Sequence, residues 1–172
     1  HWERTEKNMI EPIYYLIGVS YGDAYLNCDN KQSHYCFRLT AKDKAFILKF
    51  KRCMELLFNR NFKITKVYNK KYDKYYLSVA SQRKQEVRHI QMIKATLKLD
   101  TLDKTKKVQI LKGIFDSEAS ITFYNRLRIK NGYRYRSPEL LIRIAQSKEK
   151  GRANKIINGL LKSFKLKFSR NK

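Results

Sequence analysis

The chain has 172 residues, of which 42% are hydrophobic, enough for a packed core and too many for a wholly disordered chain. Its 39 lysines and arginines outnumber its 15 aspartates and glutamates, which gives a formal net charge of +24. So large an excess is unusual for an enzyme of small metabolites and predicts a polyanionic partner, nucleic acid first. The basic residues are spread along the whole chain, so we expect a folded basic surface rather than a disordered arm.

A membrane surface is the other polyanion to consider, and the sequence argues against it. No apolar run approaches the ~20 residues of a spanning helix, and residues 1–10 lack a signal-peptide core. The three cysteines, Cys28, Cys36 and Cys53, show no CxxC spacing, which indicates reduced thiols in an intracellular protein. A structural protein of the ribosomal type would also be very basic, so the sequence motifs have to distinguish it from other nucleic-acid-binding proteins.

An internal repeat organises the sequence. Residues 16–24, LIGVSYGDA, recur 95 residues later as residues 111–119, LKGIFDSEA. Each copy precedes two strand-like segments and an amphipathic helix. The pattern predicts an α+β fold of two pseudo-symmetric αββαββα repeats, residues 1–100 and 101–172.

In the first half, short strands are predicted at residues 25–29 and 35–40. A helix over residues 41–59 follows, with an apolar stripe at Phe46, Ile47, Phe50, Met54 and Leu57. Two more strands, at residues 62–68 and 74–80, flank the basic turn at residues 69–73. A helix over residues 85–97 completes this half.

In the second half, residues 121–130 alternate between apolar and mostly basic side chains, which predicts a strand with one buried and one basic face. The dipeptide Asn131-Gly132 indicates a hairpin turn, and a second strand is predicted at residues 140–146. A helix follows over residues 148–164. The further strands and last helix of the pattern do not follow, so either the repeat is truncated or the natural protein is longer.

The repeated motif carries the candidate chemistry. Gly18 and Gly22 are four residues apart, as are Gly113 and Ser117, so each pair lies on one helix face and permits close packing of two helices. Asp23 and Glu118 then emerge together at helix C-termini, where the helix dipole disfavours a carboxylate. A divalent cation relieves that penalty, and carboxylate and carbonyl oxygens suit Mg²⁺ (or Mn²⁺). Such ions activate water at a phosphodiester.

These two motifs resemble those of the LAGLIDADG homing endonucleases, in their single-chain, two-repeat form encoded in archaeal or organellar introns. The resemblance implies a monomer with pseudo-two-fold symmetry, whose antiparallel sheets form a saddle that binds double-stranded DNA. It also implies a staggered, site-specific double-strand cut made by metal-dependent phosphodiester hydrolysis. The resemblance further implies an intracellular protein, and it favours the cytoplasm of an archaeon over the matrix of an organelle.

The resemblance carries the metal ligands over onto Asp23 and Glu118, with backbone carbonyls of Gly22 and Ser117 as further ligands. Gln146 matches the glutamine that orients water in this family, whereas Ala41 takes that place in the first half, so we expect the two strands to be cut at unequal rates. Outward strand positions suit base readout, and we assign it to Arg38, Arg126, Arg128, Lys130, Arg143 and Gln146. Phosphate contacts are assigned to Lys31, Lys70, Lys71, Lys74, Arg134 and Arg136.

The sequence departs from the family pattern at two motif positions. In the first motif, Tyr21 occupies a position where the consensus has an acid, whereas the second motif keeps that acid as Asp116. In the second motif, Glu118 replaces the commoner aspartate. No residue aligns with the family's catalytic lysine, although Lys98 and Lys104 lie nearby. An RNA maturase that binds intron RNA, and a non-catalytic DNA-binding regulator, are the alternatives on this scaffold. Retention of both acids favours the nuclease.

Overall fold

The computed structural model describes residues 2–130, 132–144 and 151–166. The first part of the chain forms α1 (Trp2–Tyr21), β1 (Tyr25–Asp29), β2 (His34–Ala41), α2 (Lys44–Phe58), β3 (Thr65–Asn69), β4 (Lys74–Ser81) and α3 (Lys84–Thr96). The second part forms a 3-10 turn (Leu99–Thr101), α4 (Lys104–Glu118), β5 (Ala119–Lys130), β6 (Tyr133–Ile144) and α5 (Gly151–Ser163).

The strands form two antiparallel sheets. Four strands pair in the order β1-β2-β4-β3, and β5 pairs with β6 as a separate ribbon. Helices α2 and α3 pack on one face of the larger sheet, where Phe37, Leu39 and Val79 meet Ile47 and Phe50 in a buried core. The predicted mixed fold with antiparallel sheets is confirmed.

Side-chain caps explain where the helices begin. The carboxylate of Asp43 accepts hydrogen bonds from the backbone N–H groups of Ala45 (2.8 Å) and Phe46 (3.2 Å), which satisfies two of the first unpaired donors of α2. Asp103 caps α4 in the same way through the N–H of Lys106, at 2.9 Å. Helix α2 therefore begins at Lys44 and not at residue 41, which is the last residue of β2.

The ribbon β5–β6 differs from the prediction in its length. Strand β6 begins at Tyr133 and not at residue 140, and Tyr133 pairs directly with Lys130. The reason lies in the turn, because a two-residue connection lets pairing resume at once. Gly132 has φ = +80°, a conformation that glycine adopts without strain.

The predicted burial of one face of β5 is wrong near the ribbon tip. Leu127 is 60% exposed and Ile129 is 67% exposed, whereas Ile144 at the ribbon base packs against the core. Each strand of the ribbon has 12 residues and therefore extends ~40 Å, farther than the helices at its base can cover. Alternation indicated a strand correctly but could not show which part of it has a neighbour.

Helix α5 packs against α4 and the 3-10 turn, burying Ile157 and Leu160 of its predicted apolar stripe. It begins at Gly151, and the start predicted at residue 148 lies outside the described residues. Across the described parts of the chain, no helix combines the length and the apolar character needed to cross a lipid bilayer.

Candidate active site and nucleic-acid surface

Helices α1 and α4 pack side by side and in parallel, with backbone against backbone. A methyl group added at Gly18 would lie 2.9 Å from the Cα of Gly113 and would overlap the carbonyl oxygen of Ile110. A methyl group at Gly113 would lie 2.7 Å from the backbone nitrogen of Val19. Only glycine at both positions permits this approach, which is the interface that the repeated motif predicts.

One turn farther along, the two helix ends also meet. A methyl group added at Gly22 would lie 2.7 Å from the Cγ of Glu118 and 2.7 Å from the Cβ of Ser117. The side chain of Glu118 therefore lies against Gly22, which immediately precedes the exposed Asp23. Helix α1 ends through hydrogen bonds from the N–H groups of Gly22 and Ala24 to the carbonyl of Val19, and α4 passes directly into β5.

Two parallel helices that end together bring two negative dipole poles to one place, in addition to the two carboxylates. One side chain from the first half partly offsets this charge. The Lys94 ammonium donates a 2.6 Å hydrogen bond to the carbonyl oxygen of Ser20 and lies 4.7 Å from the ring centroid of Tyr21. It acts as a cationic cap on the end of α1.

The acid that the second motif retains has a structural partner in each neighbouring helix. Asp116 accepts a hydrogen bond from the Tyr15 hydroxyl at 2.9 Å and another from the Lys49 ammonium at 2.6 Å. Lys49 also lies 4.5 Å from the centroid of the Tyr15 ring. Burial raises the pKa of Tyr15, and the bond to Asp116 raises it further, so the phenol remains a donor. This cluster ties α1, α2 and α4 together just behind the motif ends.

The oxygen donors at the motif ends suit a hard divalent cation. Within the described residues, no group of three or more histidine, cysteine, aspartate or glutamate side chains could hold a metal ion. A site at Asp23 and Glu118 would therefore draw on two carboxylates, backbone carbonyls and water, a set that Mg²⁺ accepts and Zn²⁺ does not favour. The residues present fit Mg²⁺ or Mn²⁺.

In the first half, the predicted DNA-contacting residues lie on the exposed face of the larger sheet or at its β1–β2 and β3–β4 turns. Arg38 is exposed on β2, with its guanidinium 5.6 Å from the ring centroid of Tyr25 on β1. Lys70 and Lys71 are exposed in the turn, and Lys74 is exposed at the start of β4. Lys31 is exposed in the β1–β2 turn.

In the second half, the predicted basic residues divide between the two faces of the ribbon. The register pairs Arg134 with Ile129 and Arg136 with Leu127, which places these arginines on the face of the exposed apolar residues. Positions 126, 128, 130 and 143 belong to the opposite face by the same register. Arg128 is exposed; the side chains of Arg126, Lys130 and Arg143, and all of Gln146, lie outside the described residues.

Of the lysines near the ends of the two motif helices, the sequence suggested Lys104 wrongly and did not suggest Lys94. Lys104 is the first residue of α4 and so lies ~20 Å along the helix axis from Glu118. Lys94, which does reach the end of α1, belongs to α3 and is 74 residues from its partner Ser20. No local pattern reports a contact over that separation. Ala41 does end β2, as the comparison with Gln146 assumed.

The sequence is similar to that of an archaeal protein. No family model matches the chain. It is 30% identical over 125 residues to an uncharacterized protein of Methanocaldococcus jannaschii, a match that includes 69% of this chain. The chain spans only 45% of the length of that relative.

Comparison of structures identifies the fold. The chain is similar to I-DmoI in complex with DNA and Ca, with a TM-score of 0.59 and 17% identity over 92% of this chain and 74% of that one. It is also similar to an I-DmoI variant in complex with its target DNA in the presence of Mn, with a TM-score of 0.54 and 15% identity over 92% and 78% of the two chains. I-DmoI is a LAGLIDADG homing endonuclease. This chain therefore has the LAGLIDADG homing-endonuclease fold.

Proposed function

We propose that this protein is a site-specific double-strand DNA endonuclease that hydrolyses phosphodiesters with Mg²⁺ or Mn²⁺. One observation carries the proposal: the glycine-to-glycine packing of α1 and α4 brings the Glu118 side chain against Gly22, beside Asp23. In this proposal two related repeats, residues 1–100 and 101–172, each supply one acid to the same end of the helix pair. The similarity to I-DmoI, which binds DNA with divalent metals, supports this reading.

Each motif residue has a distinct task in this proposal. Asp23 and Glu118 supply the carboxylates that hold the cation, and the carbonyls of Gly22 and Ser117 complete the protein's share of the ligands. When bound, the divalent ions activate water and stabilise the leaving oxygen of the cut strand. Gly18 and Gly113 bring the helices close enough for the two acids to act together. Gln146 and its counterpart position Ala41 are expected to make attack on the two strands unequal.

The proposed DNA surface consists of the exposed face of the larger sheet and the β5–β6 ribbon. Arg38, Arg126, Arg128, Lys130 and Arg143 are proposed to read bases, because bidentate arginine contacts to guanine discriminate in the major groove. Lys70, Lys74, Arg134 and Arg136 are proposed to contact phosphates. The net charge of +24 supplies the nonspecific attraction.

Incubation with a library of randomised DNA duplexes tests the proposal. The protein is incubated with the library in Mg²⁺, and the ends of any cut molecules are sequenced; a parallel sample contains EDTA. We expect a single family of long sites cut on both strands with a fixed stagger, and no cut ends with EDTA. Absence of metal-dependent cut ends, together with tight binding of structured RNA, would instead favour the maturase.

A further inference from the structure

A pocket of about 530 Å³ opens at the β3–β4 turn, on the sheet face opposite α2 and α3. Thr40, Val67, Asn69 and Tyr76 line it from the strands, residues 70–72 line it from the turn, and Tyr68 also contributes. The register pairs Val67 with Tyr76 and Thr40 with Ser78, and the Thr40 and Ser78 hydroxyls are hydrogen-bonded at 3.0 Å. Because positions 76 and 78 of β4 lie on the same face of the sheet, Val67 and Thr40 share that face. The pocket therefore belongs to the proposed nucleic-acid surface, although no catalytic residue contributes to it.

Two tyrosine rings, each with a lysine over it, form the walls of the pocket. The Lys71 ammonium lies 5.3 Å from the Tyr72 ring centroid, and the Lys42 ammonium lies 5.3 Å from that of Tyr76. Tyr72 is 54% exposed. An exposed aromatic ring beside a cation offers a base a π surface and offers its phosphate a charge.

The turn holds this arrangement in place. The backbone N–H of Lys71 donates to the side-chain oxygen of Asn69 at 3.1 Å, and the N–H of Tyr72 donates to the Asn69 carbonyl at 3.2 Å. The only acid in the turn, Asp73, accepts a hydrogen bond from the Tyr68 hydroxyl. The pocket mouth is thus basic, with Lys70 and Lys71 exposed at its rim.

We infer that this pocket binds one unpaired base of a nucleic-acid strand, stacked against Tyr72 and Tyr76, with its flanking phosphates on Lys42, Lys70 and Lys71. A free phosphate would contact the lysines only and would make no stacking contact with the two tyrosine rings. A base in an intact duplex is stacked on both faces and cannot present one to a ring, whereas an unpaired base can. The pocket volume falls within the roughly 300–1,000 Å³ of small-ligand sites, which is ample for one nucleotide.

Fluorescence anisotropy of labelled single strands tests this inference without requiring cleavage. The probes are an oligothymidylate of about 12 nucleotides and a strand of equal length made of abasic sites, which keeps the phosphates and removes the bases. We expect the wild-type protein to bind the oligothymidylate about tenfold more tightly than the abasic strand. Tyr72→Ala should lose most of that preference, and Tyr72→Phe should retain it.

Tyr75→Ala is the matched control, because Tyr75 is 69% exposed near the start of β4 and the register places it on the sheet face opposite Val67 and Tyr76. It should keep the preference for bases. An oligouridylate of equal length, if bound more tightly, identifies RNA as the source of the unpaired base; tighter oligothymidylate binding identifies DNA. Three results would overturn the inference. The wild-type protein could bind the abasic strand as tightly as the oligothymidylate. Tyr72→Ala could weaken binding no more than Tyr75→Ala does, or could weaken binding of a blunt duplex to the same extent. Because no strand is cut, these outcomes are separate from those of the nuclease test.

Discussion

At the residue scale, several carboxylates of this chain hold elements together rather than perform chemistry. Glu86 is buried at the start of α3 and accepts two hydrogen bonds of 2.7 Å from Arg60, one to each oxygen. The guanidinium of Arg60 also stacks 3.8 Å from the Phe62 ring centroid. Bidentate pairs of this kind are strong and directional, so the pair fixes the loop after α2 against α3.

The pH dependence of stability should report the Glu86 pair. Burial raises the pKa of Glu86, but hydrogen bonds from Arg60 and Ser81 outweigh it and hold the pKa below its ordinary 4.5. A depressed pKa means that the stabilisation is complete above the unfolded value and is lost as the pH falls through the folded value. We expect Glu86→Gln to cost about 2 kcal/mol at neutral pH, and this difference to shrink below pH 4.5.

Urea unfolding of both proteins across a pH series measures this difference. Asp100→Asn, which changes an exposed acid in the 3-10 turn, is the control and should show little effect at any pH. A Glu86→Gln cost that stays constant down to acid unfolding would show that the charge of Glu86 is not what stabilises the loop.

The contact between Tyr15 and Asp116 gives a second prediction at this scale. Since the Tyr15 side chain is buried and donates to Asp116 at 2.9 Å, removing either partner alone leaves the other without its bond. A double-mutant cycle with Tyr15→Phe and Asp116→Ala should give a coupling of about 1 kcal/mol in the free energy of unfolding. Strictly additive losses would mean that the two groups do not interact in solution.

At the element scale, the contact between α1 and α4 decides whether the site exists. An alanine in place of a helical glycine normally stabilises a helix by about 1 kcal/mol. At Gly113 the added methyl would meet the backbone of α1 at Tyr15 and Val19, and neither atom belongs to a flexible side chain. We therefore expect Gly113→Ala to destabilise the protein by about 3 kcal/mol, reversing the usual sign.

Thermal or urea unfolding checks this sign, with Lys112→Ala as the control. Lys112 is the neighbouring residue of α4 and is exposed, so its replacement should leave stability unchanged or slightly higher. If Gly113→Ala also stabilised the protein, the two helices could not be in backbone contact.

The elements themselves were largely readable from the sequence, and the exceptions have physical reasons. Apolar spacing located α2, and its stripe at Phe46, Ile47, Phe50 and Met54 is buried. The same kind of spacing misjudged Leu127 and Ile129, because burial requires a neighbouring element that a local pattern cannot report. The start of β6 was missed because its first residues are tyrosine and arginine, and the two-residue turn rather than their hydrophobicity sets the pairing.

At the scale of the whole molecule, the site was readable to the extent that it repeats. A motif that occurs twice predicts which two helices pack together, and the glycine contacts follow from it. The supporting side chains do not repeat in this way. Lys49 reaches Asp116 across 67 residues and Lys94 reaches Ser20 across 74, so each depends on how helices from the first half pack around the pair.

The same packing joins the chain's charge to its chemistry. With a net charge of +24, the molecule is expected to attract DNA regardless of sequence, so binding alone says little about catalysis. The two carboxylates at the ends of α1 and α4 are the feature that separates a nuclease from a DNA-binding protein with the same fold.

The variants Asp23→Asn and Glu118→Gln test the proposed metal site most directly. Each is assayed for cleavage and for binding of the duplex site recovered from the library. Asp43→Asn is the matched control, since it also removes one negative charge and asparagine caps a helix as well as aspartate does. We expect both motif variants to lose Mg²⁺-dependent cleavage and to retain duplex affinity, while the control cuts normally. Undiminished cleavage by either motif variant would contradict the account.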